Sequence, residues 1–272
     1  MEVPARIRLD VAYDGTGFAG WAVQPGRRTV AGSLLAVLER LFKAPTGLTV
    51  AGRTDAGVHA TGQVCHVDVP REAWEQLGPA LIRKLAGLLP PDVRVVRASE
   101  VPPDFDARFS ALWRRYEYRV TDAPWGVNPL RRLDTLAWPR RLDLDPMNEA
   151  ARGLIGEHDF AAYCRRKENA TTIRRITALD WRREGDLLVA TVQADAFCQQ
   201  MVRSLVGALL AVGEGRRAVS WPASLLTRTS RESEVLVAPA HGLTLVAVGY
   251  PDESRFAEQA MATRKVRERS DR

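Results

Sequence analysis

Gly52-Arg53-Thr54-Asp55-Ala56-Gly57-Val58-His59-Ala60 is the stretch on which the reading of the chain turns. A carboxylate, a guanidinium and an imidazole sit there among glycines and other small residues. As a core strand it would bury charged groups without partners. As a helix it would carry a glycine near each end, each costing about 1 kcal/mol relative to alanine. A loop remains. Residues 48–51 and 63–69 on either side read as strands, so this is a charged, glycine-hinged loop between strands, where chemistry tends to be placed.

Outward from the loop, residues 6–13 alternate, with Ile7, Leu9, Val11 and Tyr13 on one face of a predicted strand. Leu34, Leu35, Leu38, Leu41 and Phe42 have helical spacing within 30–42, and Leu77, Leu81, Leu85 and Leu88 mark a second helix ended by Pro90-Pro91. Residues 93–100 read as a strand. The order β-α-β-β-α-β is ferredoxin-like. The second half repeats it: a strand over 113–120, a helix over 145–154 with Asp145 as N-cap and Pro146 at the first position, and a hairpin of 176–183 and 187–194 around Glu184-Gly185-Asp186. An apolar helix over 199–212, a short added helix over 221–227 and a strand over 243–250 complete the set. The predicted class is α+β, two such halves with antiparallel sheets. The expected division is 1–104, carrying the Asp55 loop, then 105–251, then a flexible basic tail over 252–272.

With 272 residues, 46% of them hydrophobic, the chain can bury a core. No apolar run reaches the ~18 residues of a membrane span, and residues 1–8 lack the apolar stretch of a signal peptide. A cytoplasmic location and no membrane association are expected. The net charge of +6 points to a polyanionic partner. Only four of the 39 basic residues are lysine. A genome rich in G and C accounts for that ratio but not for the excess of positive charge. Cys65, Cys164 and Cys198 are far apart and read as three reduced thiols. With His59, His66, His158 and His241 they form no ligand spacing, so no metal is expected.

Gly15-Thr16-Gly17-Phe18-Ala19-Gly20 matches G-x-G-x-x-G after a strand. A dinucleotide site needs its third glycine to open a helix facing the pyrophosphate. Here residues 21–26 intervene, so the segment reads as a flexible loop presenting Phe18 and Trp21, with no nucleotide cofactor. Asp55 most simply caps its own turn. Arg53, two residues away, favours its ionised form, and the absence of bulk lets a large substrate approach it.

The segment 52–60 resembles the signature loop of the tRNA pseudouridine synthase A family. Further matches follow in family order between about residue 6 and residue 251. They are Tyr13-Asp14-Gly15-Thr16 with Gly20-Trp21; Leu89-Pro90 with Asp92-Val93; and Phe105-Asp106-Ala107-Arg108-Phe109-Ser110. Beyond those come Arg115-Tyr116 with Tyr118; Gly156 with His158-Asp159-Phe160; Phe197 with Met201-Val202-Arg203 and Val206-Gly207; and Gly242-Leu243 with Leu245-Val246-Ala247-Val248. Asp195, Gln199, Gln200 and Gly87 depart from the pattern, where asparagine, histidines and asparagine are usual. They touch peripheral RNA contacts rather than the loop.

The resemblance implies a pseudouridine synthase fold with the active-site cleft between its halves. It implies an isomerase that converts uridine to pseudouridine at positions 38, 39 and 40 of the tRNA anticodon stem-loop, with no redox cofactor, ATP or metal. Asp55 would be the essential carboxylate, as nucleophile or base, and Arg203 its partner. Tyr116 would stack on the flipped uracil and move a proton, Leu245 would wall the pocket, and Arg53 would hold the backbone or the flipped nucleotide. From the residues alone, Tyr116 and Leu245 also read as strand core, and Arg203 as the solvent side of an apolar helix. Among the Arg-Arg doublets, Arg27-Arg28 and the Arg165-Arg166-Lys167 run are candidate phosphate contacts, being in predicted loops. Family members act as homodimers with tRNA across both subunits. The alternative is a non-catalytic RNA-binding module, since ferredoxin-like halves with a basic surface also describe RRM proteins; the aromatic RNP1 pattern is absent.

Overall fold

The N-terminal alternation is realised as β1 (Ala5–Tyr13), in which every second side chain, Ala5 through Tyr13, is buried. The computed structural model of the chain describes residues 3–165 and 171–265. β1 pairs antiparallel on one edge with β3 (His59–Val69) and on the other with β4 (Val93–Val101). β2 (Leu48–Val50) pairs antiparallel with β3. Helix α1 (Val30–Phe42) buries Leu34, Leu38 and Phe42 and is capped by the Thr29 hydroxyl, which accepts from Gly32 N. Helix α2 (Arg71–Leu88) starts six residues before its leucine spacing predicts, because its first turns are polar and carry no periodic signal. The β-α-β-β-α-β order of this half is therefore present.

In the second half, β5 (Trp113–Thr121) pairs antiparallel with β9 (Leu187–Ala194), β9 with β8 (Ile173–Glu184), and β8 with β7 (Gly156–Asp159). A two-residue β6 (Leu136–Ala137) runs parallel to β5. The sequence pattern gave no sign of β6 or β7, which are too short to alternate visibly. Helix α3 (Leu144–Arg152) is capped by Asp143 rather than Asp145; the Asp143 carboxylate accepts from the Asp145 N–H. Helix α4 (Met201–Gly213) is apolar apart from Arg203 and Ser204, and α5 (Trp221–Ser224) continues as a turn of 3-10 helix over Leu225–Thr227.

The division of the chain differs from the expected 1–104, 105–251 and 252–272. One unit comprises residues up to Leu112 together with Leu245–Lys265; the other comprises Trp113–Thr244. The physical reason lies in residues 105–110 and in α6 (Phe256–Arg264). Phe105 is fully buried and packs edge-on against Phe256, with ring centroids 5.0 Å apart, and against Tyr250 at 4.9 Å. The Ser110 hydroxyl donates to Phe256 O, and Arg264 pairs with Asp106. Residues 256–264 are thus a docked helix, not a free tail; residues 266–272 lie outside the described residues. The chain re-enters the first unit through β10 (Leu243–Gly249), which lies beside β3.

His66 helps to tie this knot, its Nδ1 accepting from the Ala107 N–H at 3.0 Å. Burial lowers the His66 pKa and the Arg6 guanidinium adds to that, against a smaller opposing pull from Asp106 and Asp68. A depressed histidine pKa contributes stability that is complete above the unfolded value and declines as pH drops below it. The melting temperature should hold steady above the ordinary pKa of 6.5 and fall as pH decreases beneath it. In His66→Gln, scanned calorimetrically across the same pH range, that slope should flatten.

The three-thiol expectation needs correction. Cys164 and Cys198 form a disulfide, with Cα atoms 5.7 Å apart, inside the range a disulfide spans. Their 34-residue separation in sequence concealed this. Cys65 is a buried free thiol. Among the described residues no helix is long and apolar enough to cross a membrane.

Candidate active site

The Asp55 loop leaves β2 and enters β3 pinned from several sides. Thr54 is buried, Arg53 and Ala56 are exposed, and Asp55 is half-buried between them. The Thr54 carbonyl accepts from Trp21 N at 3.1 Å, and the Asp55 carbonyl accepts from Val58 N at 3.2 Å, closing a tight turn. Gly57 takes φ +78°, a left-handed conformation that costs glycine little. Beneath the turn the Tyr13 hydroxyl lies 2.8 Å from Thr54 Oγ1, and the fully buried Gln63 donates to Gly52 O at 2.8 Å.

The 15–20 loop forms the second wall. Gly15 N donates to His59 Nδ1 at 3.0 Å. The same nitrogen lies 3.1 Å from Asp14 Oδ1. Burial alone would raise the Asp14 pKa, but the Thr16 hydroxyl and amide donate to its carboxylate and hold it below the usual value. Gly20, at φ +99°, brings its backbone so close to the Asp55 loop that a Cβ would lie 2.8 Å from Thr54 O. Phe18 and Trp21 are not presented outward as the sequence suggests; both are buried. The loop is fixed rather than flexible, because Ala19 N donates to Arg28 O, Trp21 N to Thr54 O and Ala31 N to Trp21 O. Helix α1 opens ten residues after Gly20, so the glycine pattern does not end on a helix N-terminus.

Arg28, a candidate phosphate contact, is already engaged. Its guanidinium donates to both Asp92 oxygens at 2.6 and 2.7 Å and covers the Phe18 ring at 4.0 Å. Its pKa is raised, first by that hydrogen bonding to Asp92. Arg28 thus clamps the loop onto the segment before β4. Arg27 is exposed beside it. Leu245 is fully buried in β10.

The second unit holds the other candidates. Tyr116 is buried on β5 opposite Val192, its ring edge-on to Phe197 with centroids 5.3 Å apart. Tyr118 on the same face is core: it is fully buried and donates to Pro239 O at 2.8 Å. Burial raises its pKa, a rise eased by the charge of Arg203. Every residue of α4 except Arg203 is buried. Arg203 is half-buried, and its Nε donates to Ala238 O at 2.6 Å while its own carbonyl accepts from Ala238 N. Arg165 is exposed just past Cys164; Arg166 and Lys167 lie outside the described residues.

Arg53, Asp55, Arg27, Arg28 and Leu245 therefore belong to the first unit, and Tyr116, Arg203 and Arg165 to the second. Sequence reasoning missed Gln63, Asp92 and Phe197 as supporting residues. Gln63 sits inside a strand, where its only signal was a polar residue at a core position. Among the described residues no group of three or more His, Cys, Asp or Glu side chains is placed to hold a metal ion.

Comparison with known proteins points one way. A family model described as tRNA pseudouridine synthase matches residues 150–251. The tRNA pseudouridine synthase A of Frankia casuarinae is 59% identical over 264 residues, covering 96% of this chain and 95% of the relative. That of Mycobacterium leprae is 53% identical over 273 residues, with the same coverage of both chains. The Streptomyces griseus protein of the same name is 54% identical over 266 residues, covering 96% and 94%.

Proposed function

This chain belongs to the tRNA pseudouridine synthase A family and isomerises uridine to pseudouridine in tRNA, and from that premise we propose that Asp55 carries the chemistry, at positions 38, 39 and 40 of the anticodon stem-loop. The observation that carries this reading is a half-buried carboxylate at the tip of a loop whose backbone is fixed on both sides while its neighbours are small or exposed. A uridine flipped out of the stem reaches such a carboxylate without meeting bulk. The reaction breaks the bond between N1 and C1′, turns the base and joins C1′ to C5. N1 gains a proton and C5 loses one, so no atoms are exchanged overall.

Asp55 either attacks the base or the sugar as a nucleophile, or acts as a base on the ribose while oxocarbenium-like charge is stabilised nearby. Tyr116, braced edge-on by Phe197, stacks on the uracil and moves a proton. Arg203, the one charged side chain on a largely apolar helix, takes the place of the family arginine that serves the catalytic carboxylate. Leu245 contributes apolar wall. Arg53, Arg27 and Arg165, all exposed, hold phosphates. Arg28 serves through its clamp on Asp92 instead. The protein works in the cytoplasm as a homodimer, with tRNA lying across both subunits.

Three tRNA transcripts, each carrying a single uridine at position 38, 39 or 40, test the site assignment. Each should yield pseudouridine at that uridine. Conversion of uridines elsewhere in the tRNA, with these three untouched, would contradict it.

A further inference from the structure

Gln63, Tyr13 and Thr54 form a buried polar chain directly beneath the Asp55 turn, and its direction can be read from its ends. The Gly52 carbonyl is only an acceptor, so the Gln63 atom 2.8 Å from it is the amide nitrogen. The Gln63 amide oxygen faces the other way and accepts from Val64 N at 3.2 Å. The same Gln63 nitrogen donates to the Tyr13 hydroxyl oxygen at 3.3 Å. With its oxygen accepting, the Tyr13 hydroxyl satisfies its own proton only by donating to Thr54 Oγ1, 2.8 Å away. Burial pushes the Tyr13 pKa up to about 12, so that proton is present throughout the physiological range. Gln63 and Tyr13 are essentially inaccessible to water, so neither group has solvent as an alternative partner.

We infer that Gln63, Tyr13 and Thr54 are positioning residues that fix the Asp55 carboxylate for the isomerisation. The inference rests on the reading of Asp55 as the catalytic group. The chain reaches the loop on the N-terminal side of Asp55 at two points, the Gly52 carbonyl and the Thr54 side chain. The Thr54 carbonyl is held separately by Trp21 N. The residue before the carboxylate is thus gripped through both side chain and backbone, and Asp55 itself is half-buried. A carboxylate that must meet one carbon of a flipped nucleotide gains rate from such fixing, because placement errors of about 1 Å cost about 100-fold. None of the three touches the substrate; they act through Asp55.

Tyr13→Phe and Thr54→Val remove one hydroxyl each with little change of shape, and Thr54→Ser keeps it. All three are assayed beside Asp55→Asn for kcat, KM and tRNA affinity. Tyr13→Phe and Thr54→Val should lower kcat by about 10- to 100-fold with KM and tRNA affinity unchanged. Thr54→Ser should retain kcat near the wild type. The Tyr13→Phe/Thr54→Val pair should cost no more than the worse single change, because both cut one chain. If Tyr13→Phe does not fold, the contrast of Thr54→Val with Thr54→Ser decides alone. An inactive Asp55→Asn together with wild-type kcat in Thr54→Val overturns the positioning inference and leaves Asp55 standing. An active Asp55→Asn overturns both.

Discussion

Asp55→Asn should abolish pseudouridine formation, with a rate loss of about 10⁴-fold or more, while tRNA binding stays near the wild type. Asparagine keeps the shape of the side chain and leaves the Val58 N to Asp55 O turn bond in place. What disappears is the negative charge and the ability to attack or accept a proton. A group that forms a covalent intermediate or acts as base in the rate-limiting step is felt almost wholly in kcat. tRNA affinity comes chiefly from phosphate contacts along the molecule, which one carboxylate does not supply. Single-turnover kinetics with a binding measurement on the same protein separate the two effects.

Gly15→Ala should cost activity about 100-fold and stability by about 1–3 kcal/mol. A methyl group on Gly15 overlaps the backbone carbonyl of Val58, which is not a flexible side-chain end that can swing aside. Relief requires the 15–20 loop to withdraw from the Asp55 loop, which breaks the bond from Gly15 N to His59 and pulls on Trp21 N at Thr54 O. Gly87→Ala is the matched control. Gly87 lies within α2, has nothing within 4 Å of a built Cβ, and should gain stability by up to about 1 kcal/mol. Thermal melts of the two variants should therefore shift in opposite directions, and only Gly15→Ala should lose activity.

The elements with a clean period were legible in the sequence. β1 buries every second residue as its alternation promised, and α1 buries Leu34, Leu38 and Phe42. The Asp55 segment is a loop between strands, although β3 begins at His59, earlier than its apolar run shows, because His59 and Ala60 are buried without alternating. Other features were hidden for physical reasons. The partnership of Arg28 with Asp92 spans 64 residues, and no local pattern records it. Phe18 and Trp21 looked available only because a glycine-rich stretch carries no sign of what packs on it. The docking of α6 through Phe256 depends on a pocket built by Phe105, far away in the chain, and its own polar composition suggested a tail. Gln63 shows the same limit: its importance lies in what is buried beside it.

The roles given to Asp55, Tyr116 and Arg203 all presuppose isomerisation of tRNA uridine by this chain. Incubating the wild-type protein with an unmodified tRNA transcript bearing uridines at 38 to 40, without added metal or nucleotide, and separating the released nucleosides tests it most directly. The expected product is a nucleoside of unchanged mass that elutes as pseudouridine and maps to those positions. A transcript that is bound tightly yet returns only uridine would contradict it and make the protein an RNA-binding module.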